Sequence, residues 1–320
     1  MVNKYKQAFQ KIETAKNILL VTHVHPDGDA AGSICSLINL MENLNKQYTA
    51  FCKNDLSDFS FLPLSEKLTT DKDNLNISDF DLIIILDCGS LSRTDLYDEI
   101  INRDKTQTVI EFDHHPKIEN FAEIEIRRPG MSSTAEVLYH LFKTNGIKIN
   151  KNIANCILTG ILTDTANFLY PSTTDETVNI ASEMLIYGAS FQNIVKQTWQ
   201  NKSLGAMKVW GVALNNLKIN EKYNIAFSVL TDDDLSVLGD DEDKVLNDVA
   251  NFLSNLHGVK ATLFLRQDED NIIKGNLRTS QADVDVSKLA RTLGGGGHTK
   301  ASGFVVNGQI IKGDETWKII

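Results

Sequence analysis

Apolar residues in the first half of the chain fall into short solid runs separated by stretches with helical spacing. Ile18–Thr22 is apolar almost to its end and stops at His23-Val24-His25-Pro26-Asp27-Gly28-Asp29. From about Ala30 to Asn43, the positions of Ile34, Leu37, Ile38 and Met41 mark one face of a helix. Asp81–Asp87 reads DLIIILD, apolar throughout its interior, as in a strand covered on both faces of a parallel sheet. Thr108–Asp113 supplies another strand, and helices are expected around Arg93–Asn102, Thr134–Lys143 and Asn152–Asn167. Alternation of this kind predicts an α/β fold, a doubly wound parallel-sheet domain over residues 1–187. In such a sheet, functional groups gather beyond the carboxyl ends of the strands.

The pattern changes after about Tyr187. Ser190–Gln200 reads as a connecting helix within a helical linker at 188–205. Ala206, Val209, Trp210, Ala213, Leu214 and Leu217 mark the next helix, followed by a strand at Tyr223–Leu230. An acidic stretch, Asp232–Asp243, reads as a solvated loop and helix start. It leads into an amphipathic helix carrying Val245, Leu246, Val249, Phe252, Leu253 and Leu256. Val259–Arg266 and Ile272–Leu277 resemble a hairpin, and a helix over Val286–Leu293 ends in Gly294–Gly297. These elements predict a second, smaller α/β domain at 206–320.

The 320 residues carry a formal net charge of −10, which argues against a stable grip on long nucleic acid, since that affinity comes largely from Lys and Arg neutralising phosphates. Small or short anionic substrates remain compatible with it. No apolar run approaches the roughly 18 residues of a membrane span, and the first residues lack the apolar core of a secretory signal. Cys35, Cys52, Cys88 and Cys156 are scattered, with no Cys-x-x-Cys pair. They read as reduced thiols of a cytoplasmic protein.

Ionisable residues then concentrate at four places: His23 to Asp29 after the first strand, Asp87-Cys88-Gly89 after the DLIIIL strand, Asp113-His114-His115-Pro116 after the next, and Thr163-Asp164-Thr165 within a helix. Each admits a bland reading. Asp27-Gly28-Asp29 could be a turn, Asp87 could cap a helix, and a lone helical Asp is ordinarily a surface residue. Together, carboxylates crowded at one sheet edge repel unless something neutralises them, and two divalent cations would cancel Asp27, Asp29, Asp87 and Asp164. His23 and His114 would add neutral nitrogen ligands. Oxygen ligands with some imidazole and no thiolate favour manganese, ahead of magnesium, iron or zinc. Paired metals are a recurrent device for phosphoester cleavage. Cys88 reads as a packing residue, His25 as either a substrate contact or a solvated side chain, and His140 and His257 as structural.

Four consecutive glycines after a helix lose much entropy on folding, which suggests that backbone must approach something closely there. Their amides could hold a phosphate, with His298 and Arg278 adding charge-assisted hydrogen bonds. A helix C-cap with a flexible loop is the bland alternative. Ser133-Thr134-Ala135-Glu136 fits a capping box.

His23-x-x-Pro26-Asp27-x-Asp29, a strand ending in Asp87, Asp113-His114-His115 and the helical Asp164 resemble the successive motifs of the DHH phosphoesterase superfamily. Arg278-Thr279-Ser280 with Gly294-Gly-Gly-Gly297-His298-x-x-Ala301-Ser302-Gly303 resembles the signature of the DHH-associated substrate domain. The resemblance is to the compact nanoRNase type, and spans essentially the whole chain. It implies His23, Asp27 and Asp87 around one ion and Asp29, Asp87, His114 and Asp164 around the other, with Asp87 bridging. It further implies that Asp113 orients a neighbouring imidazole, that His115 faces the scissile phosphate, and that Ser132 and Ser133 lie near the substrate. Arg278, Ser280, Gly295, Gly296, Gly297 and His298 would bind substrate.

The function expected is metal-dependent hydrolysis of very short RNA to nucleoside monophosphates, together with dephosphorylation of 3′-phosphoadenosine 5′-phosphate, by a protein that could form homodimers. A cyclic di-AMP or pApA phosphodiesterase is the alternative within the superfamily. A catalytically silent nucleotide sensor is the alternative outside it.

Overall fold

The computed structural model describes residues 2–236, 238, 242–268, 271–297, 299–312 and 317–320. The chain falls into two compact units, Met1–Asn201 and Lys202–Ile320, whose boundary lies inside the segment 188–205. Among the described residues, no helix is long and apolar enough to cross a membrane.

The first unit runs α1 (Val2–Thr14), β1 (Asn17–Thr22), α2 (Gly28–Asn43), β2 (Gln47–Phe51), β3 (Leu68–Thr69), β4 (Leu82–Leu86), α3 (Tyr97–Ile101), β5 (Thr108–Asp113), β6 (Ile124–Arg127), α4 (Thr134–Thr144), α5 (Lys151–Asp164), α6 (Asp175–Ile186) and α7 (Phe191–Thr198). Among the described residues its six strands form one sheet in the order β3-β2-β1-β4-β5-β6, and every neighbouring pair is parallel. The order reverses between β1 and β4. Chain leaving these two strands diverges to opposite sides, and the crevice outside their carboxyl ends is where a doubly wound sheet binds its ligand.

Strand residues divide by parity. Ile18 and Leu20 of β1, with Leu82, Ile84 and Leu86 of β4, face a core shared with α1, α2, α4 and α5. Leu19, Val21, Ile83 and Ile85 face the other layer with Leu91, Leu96 and Ile100. All five residues of β4 are buried, as DLIIILD predicts.

Two helix boundaries depart from the pattern. The helix expected over Arg93–Asn102 is broken: a 3-10 turn at Leu91–Thr94 ends where Asp95 takes φ 62°, and α3 begins only at Tyr97. A left-handed residue cannot continue a right-handed helix, and Lys53 Nζ holds Asp95 Oδ1 at 2.9 Å in that turn. The helix expected to reach Asn167 stops at Asp164, because Ala166, Asn167 and Phe168 take φ values of 48°, 58° and 70°.

α2 and α5 cross very closely. A Cβ on Gly32 would stand 2.4 Å from the carbonyl oxygen of Cys156, and one on Gly160 would stand 2.5 Å from both Asp29 Oδ1 and Ala135 Cβ. Only glycine permits this approach, which draws the start of α2 toward the end of α5.

The second unit contains α8 (Leu204–Asn215), β7 (Lys218–Asn220), β8 (Ile225–Leu230), α9 (Asp232–Leu235), α10 (Glu242–Leu253), β9 (Ala261–Asp268), β10 (Ile272–Arg278), α11 (Val286–Thr292), β11 (Gly296–Gly297), β12 (Ala301–Asn307), β13 (Ile310–Lys312) and β14 (Trp317–Ile319). Its main sheet has the order β11-β12-β10-β9-β8-β7. β9 and β10 form the expected antiparallel hairpin, while β8 and β9 run parallel. One layer packs α8 and α10 on the sheet, and the other packs α11 through Val286 and Ala290.

Candidate metal centre

Each candidate ligand sits at an element end set by the sheet. His23 follows β1, Asp27 is the N-cap of α2, Asp87 follows β4 at φ 60°, His114 follows β5, and Asp164 closes α5. Asp27 Oδ1 accepts hydrogen bonds from the amides of Asp29 and Ala30, both at 3.0 Å, while its Oδ2 lies 3.9 Å from His23 Nε2. The cap alone therefore does not use up the carboxylate.

Two imidazoles are held in the tautomer a ligand requires. His23 Nδ1–H donates to the carbonyl of Val24 at 2.9 Å, and His114 Nδ1–H donates to that of Met131 at 3.4 Å. A carbonyl only accepts, so in each neutral ring Nε2 keeps its lone pair. His23 Nε2 is 3.9 Å from Asp87 Oδ2. His114 Nε2 is 3.6 Å from Asp87 Oδ1, 3.6 Å from Asp164 Oδ2 and 3.9 Å from Asp29 Oδ2. The two oxygens of Asp87 thus face the two histidines. The donor atoms form three compact groups: His23, Asp27 and Asp87; Asp29, His114 and Asp164; and Asp87, His114 and His115.

Electrostatics fit the same picture. Asp87 is 2% exposed; burial raises its pKa well above the usual carboxylate range, and the charges of Asp29, Asp27, Asp113 and Asp164 raise it further. Burial also raises Asp29 and pushes Asp164 up to about 8, against the opposing influence of His114. Burial lowers His23 toward the neutral form that can bind a cation. For His114, burial works against the charge, but Asp164, Asp29 and Asp113 outweigh it and raise the pKa. These carboxylates crowd together with too little positive charge among them, and bound cations would stabilise their ionised forms. The set fits divalent ions by donor chemistry and by this electrostatic deficit.

Asp113 serves differently. It is fully buried and accepts from the amides of Gly89 at 2.6 Å and His115 at 2.7 Å, and from His115 Nδ1–H at 2.9 Å. Burial would raise its pKa, but these His115 hydrogen bonds and the charges of His115 and Arg127 outweigh that and hold it below the usual value. The His115 ring is therefore held in a fixed orientation by Asp113. Cys88 is buried, its Sγ–H donating to the carbonyl of Leu86, and burial drives its thiol pKa far up, as befits a packing residue. His25 is exposed.

Ser132 and Ser133 are fully buried. Ser133 Oγ accepts from the amide of Glu136 at 3.1 Å, which is half of the expected capping box. The reciprocal half is missing, because the Glu136 carboxylate instead accepts from Ser132, through its amide at 3.1 Å and its hydroxyl at 2.5 Å. In the second unit, Arg278 Nε donates to Asn251 Oδ1 at 2.8 Å and Ser280 is exposed. The glycine run is built into the fold: the Gly294 and Gly295 amides donate to the carbonyls of Arg291 and Ala290, and Gly296–Gly297 pair with Ser302–Gly303. Two of the four amides, those of Gly294 and Gly295, are therefore used within the fold. His298 lies outside the described residues.

The sequence reading missed two groups that hold the site. Thr134 Oγ1–H donates to Asp87 Oδ1 at 2.8 Å, while the amides of Thr134 and Ala135 donate to Asp29 at 2.6 and 2.9 Å. The start of α4 thus grips both carboxylates, adding its helix-end positive potential. Arg127, at the end of β6, reaches Glu111 and the carbonyls of Gly89, His115 and Pro116. The Arg127-Arg128 pair closing a strand was the available signal.

Residues 17–161 match the DHH family, N-terminal domain, and residues 208–314 match the DHHA1 domain. The bifunctional oligoribonuclease and PAP phosphatase NrnA of Thermus thermophilus is 29% identical over 292 residues, covering 91% of this chain and 84% of that protein. The protein of the same name from Bacillus subtilis is 28% identical over 302 residues, covering 93% and 91%. The solved structure of an exopolyphosphatase-related protein from Bacteroides fragilis matches with a TM-score of 0.85 at 29% identity, covering 95% of this chain and 91% of that one.

Proposed function

We propose that this chain, in which a DHH domain is followed by a DHHA1 domain, is a metal-dependent phosphoesterase that hydrolyses very short RNA to nucleoside monophosphates and also dephosphorylates 3′-phosphoadenosine 5′-phosphate. The observation that carries this reading is the convergence of four carboxylates and two Nε2-presenting histidines on the carboxyl ends of β1 and β4. Similarity over nine-tenths of the chain to two proteins named for both activities supports the substrate class.

In this reading His23, Asp27 and Asp87 hold one ion and Asp29, Asp87, His114 and Asp164 hold the other, with manganese the favoured metal. When bound, such ions activate water and neutralise phosphate charge. The remaining chemistry belongs to the chain. His115, its Nδ1–H fixed by Asp113, presents Nε2 toward the substrate and, when protonated, donates to a phosphoryl or leaving oxygen. Glu136 and the start of α4 keep the carboxylates in place. To the second unit we assign substrate binding, through Arg278, Ser280, Gly295, Gly296, Gly297 and His298, with Ser132 and Ser133 near the substrate in the first. The net charge of −10 suits substrates too short to need a long basic groove, in a cytoplasmic setting.

The test is turnover of pApA, cyclic di-AMP, 3′-phosphoadenosine 5′-phosphate and a long RNA with added manganese, beside chelator controls. Rapid, chelator-sensitive cleavage of pApA and of the phosphoadenosine, with little attack on the long RNA, is expected. Preference for the cyclic substrate would replace the reading with second-messenger turnover. Binding without turnover of any of the four would replace it with a sensor.

A further inference from the structure

A second cluster of possible ligands lies between α4 and α6. Glu136 and His140 are four residues apart on α4 and therefore share a face, and Glu176 sits in the first turn of α6. One donor atom from each lies within 4.8 Å of the other two. His140 Nε2 stands 3.4 Å from Glu176 Oε1, yet it is buried with no hydrogen-bond partner. Glu136 is 2% exposed. Its Oε2 accepts from Ser132 and from Thr177 Oγ1 at 3.0 Å, and none of these bonds involves Oε1.

An independent side chain points to the same place. Tyr5 of α1 is 5% exposed, and its hydroxyl also lacks a partner. Burial raises the pKa of that hydroxyl, the neighbouring Arg128 opposes the rise, the charges of Glu136 and Glu176 add to it, and its ring lies 6.5 Å from that of His140. A cavity of about 510 Å³ opens beside the group, lined by Arg128, Met131, Glu136, Thr174 and Glu176. A neutral imidazole nitrogen facing a carboxylate oxygen sets acceptor against acceptor, unless a proton or a cation lies between them.

We propose that Glu136, His140 and Glu176, with the Tyr5 hydroxyl beside them, form a further site for a divalent transition-metal ion, separate from the centre at the strand ends. Two carboxylates and one imidazole make a mixed oxygen and nitrogen set, suited to Zn²⁺ and poorly suited to Ca²⁺ or Cu⁺. The ion would fasten α6 to α4, the helix whose first turn grips Asp29 and Asp87. It does not depend on the catalytic reading.

The experiment counts ions. Metal-stripped full-length protein, His140→Ala and Glu176→Gln are dialysed against micromolar Zn²⁺, and bound metal is measured by mass spectrometry. The Glu176 side chain is 62% exposed, so its replacement spares the fold. Each variant should hold one equivalent fewer than the parent, whereas a variant with both Asp87 and Asp164 changed to Asn should keep the Zn²⁺ that His140→Ala loses. Equal Zn²⁺ content in the parent, His140→Ala and Glu176→Gln would overturn the proposal and assign the cluster to a proton-bridged ion pair. Failure of hydrolysis in every assay would leave this count unchanged.

Discussion

Arg127 tests whether the histidine loop is held by a buried cation. Its side chain is 3% exposed and ion-pairs with Glu111, also 3% exposed. It donates to the carbonyls of His115 and Pro116 at 3.1 Å and of Gly89 at 3.3 Å, and lies 3.4 Å from Asp113 Oδ2. Arg127→Met removes the cation and leaves a buried carboxylate and three carbonyls without their donor. Breaking a buried pair in this way costs about 3–5 kcal/mol. Burial already pushes Glu111 up to about 7 despite Arg127, so in the variant Glu111 takes up a proton at little cost. The lower end, about 3 kcal/mol, is therefore expected, which lowers the unfolding midpoint by roughly 6–12 °C.

This relief requires a proton. The folded pKa of Glu111 in the variant is raised above its unfolded value, so the variant is most stable at low pH and loses stability as pH rises through the raised value. Its deficit relative to the parent should be larger at pH 8.5 than at pH 6. Adding Glu111→Leu removes the stranded carboxylate and should recover most of the midpoint, since apolar replacement of a buried pair is often neutral. Turnover of pApA should stay about ten-fold or more below the parent, because Asp113 still lacks its neighbouring cation and the carbonyls of Gly89, His115 and Pro116 still lack their donor. Thermal unfolding and steady-state kinetics on the same samples decide the matter. If turnover returned together with stability in the double variant, Arg127 would be a stability element only and the loop-clamp argument would fall.

Four further outcomes are expected. Thr134→Val strands Asp87 Oδ1 and should weaken metal binding about 10–100-fold by calorimetric titration, with the fold retained. Gly32→Ala places a Cβ 2.4 Å from the Cys156 carbonyl and should cost about 1–3 kcal/mol in denaturant unfolding, lowering metal affinity as α2 and α5 separate. Ala166→Gly relieves a φ of 48° and should gain about 0.5–1 kcal/mol in the same assay, the relief exceeding the added freedom of the unfolded chain. Without metal, Asp29, Asp87 and Asp164 keep protons in the folded chain that the unfolded chain has lost. Their stabilising contribution is complete below about pH 4 and disappears as pH rises through the folded values, about 8 for Asp164. The unfolding midpoint in chelator should therefore fall between pH 5 and pH 8.5, and saturating Mn²⁺ should abolish most of that fall.

Some of the site can be read in the sequence because of where a parallel sheet puts its strand ends. His23 and Asp87 each follow a solid apolar run and His114 follows a strand interrupted by Glu111, so locating the strand locates the ligand, and a β1–β4 reversal brings the first two together. Asp164 needed more, since its approach to Asp29 depends on the glycine-lined crossing of α2 and α5, and its helix ends earlier than the apolar spacing suggests. The supporting groups were hidden for a different reason. Thr134 carries a sequence pattern that capping already explains, and nothing local shows that its hydroxyl meets Asp87, 47 residues earlier. Arg127 acquires its meaning only from the parallel register that sets it opposite Asp113 on β5, with Glu111 two residues back on that strand. Nor did α1 declare itself, although Tyr5, Ala8 and Ile12 fall at helical spacing and all are buried. Local patterns thus reveal residues whose position follows from their own element, whereas residues that restrain another element's side chain become visible only once the register and the crossings are known. That division explains why the candidate ligands could be named from the chain while Thr134 and Arg127, which hold them and the neighbouring loop in place, could not.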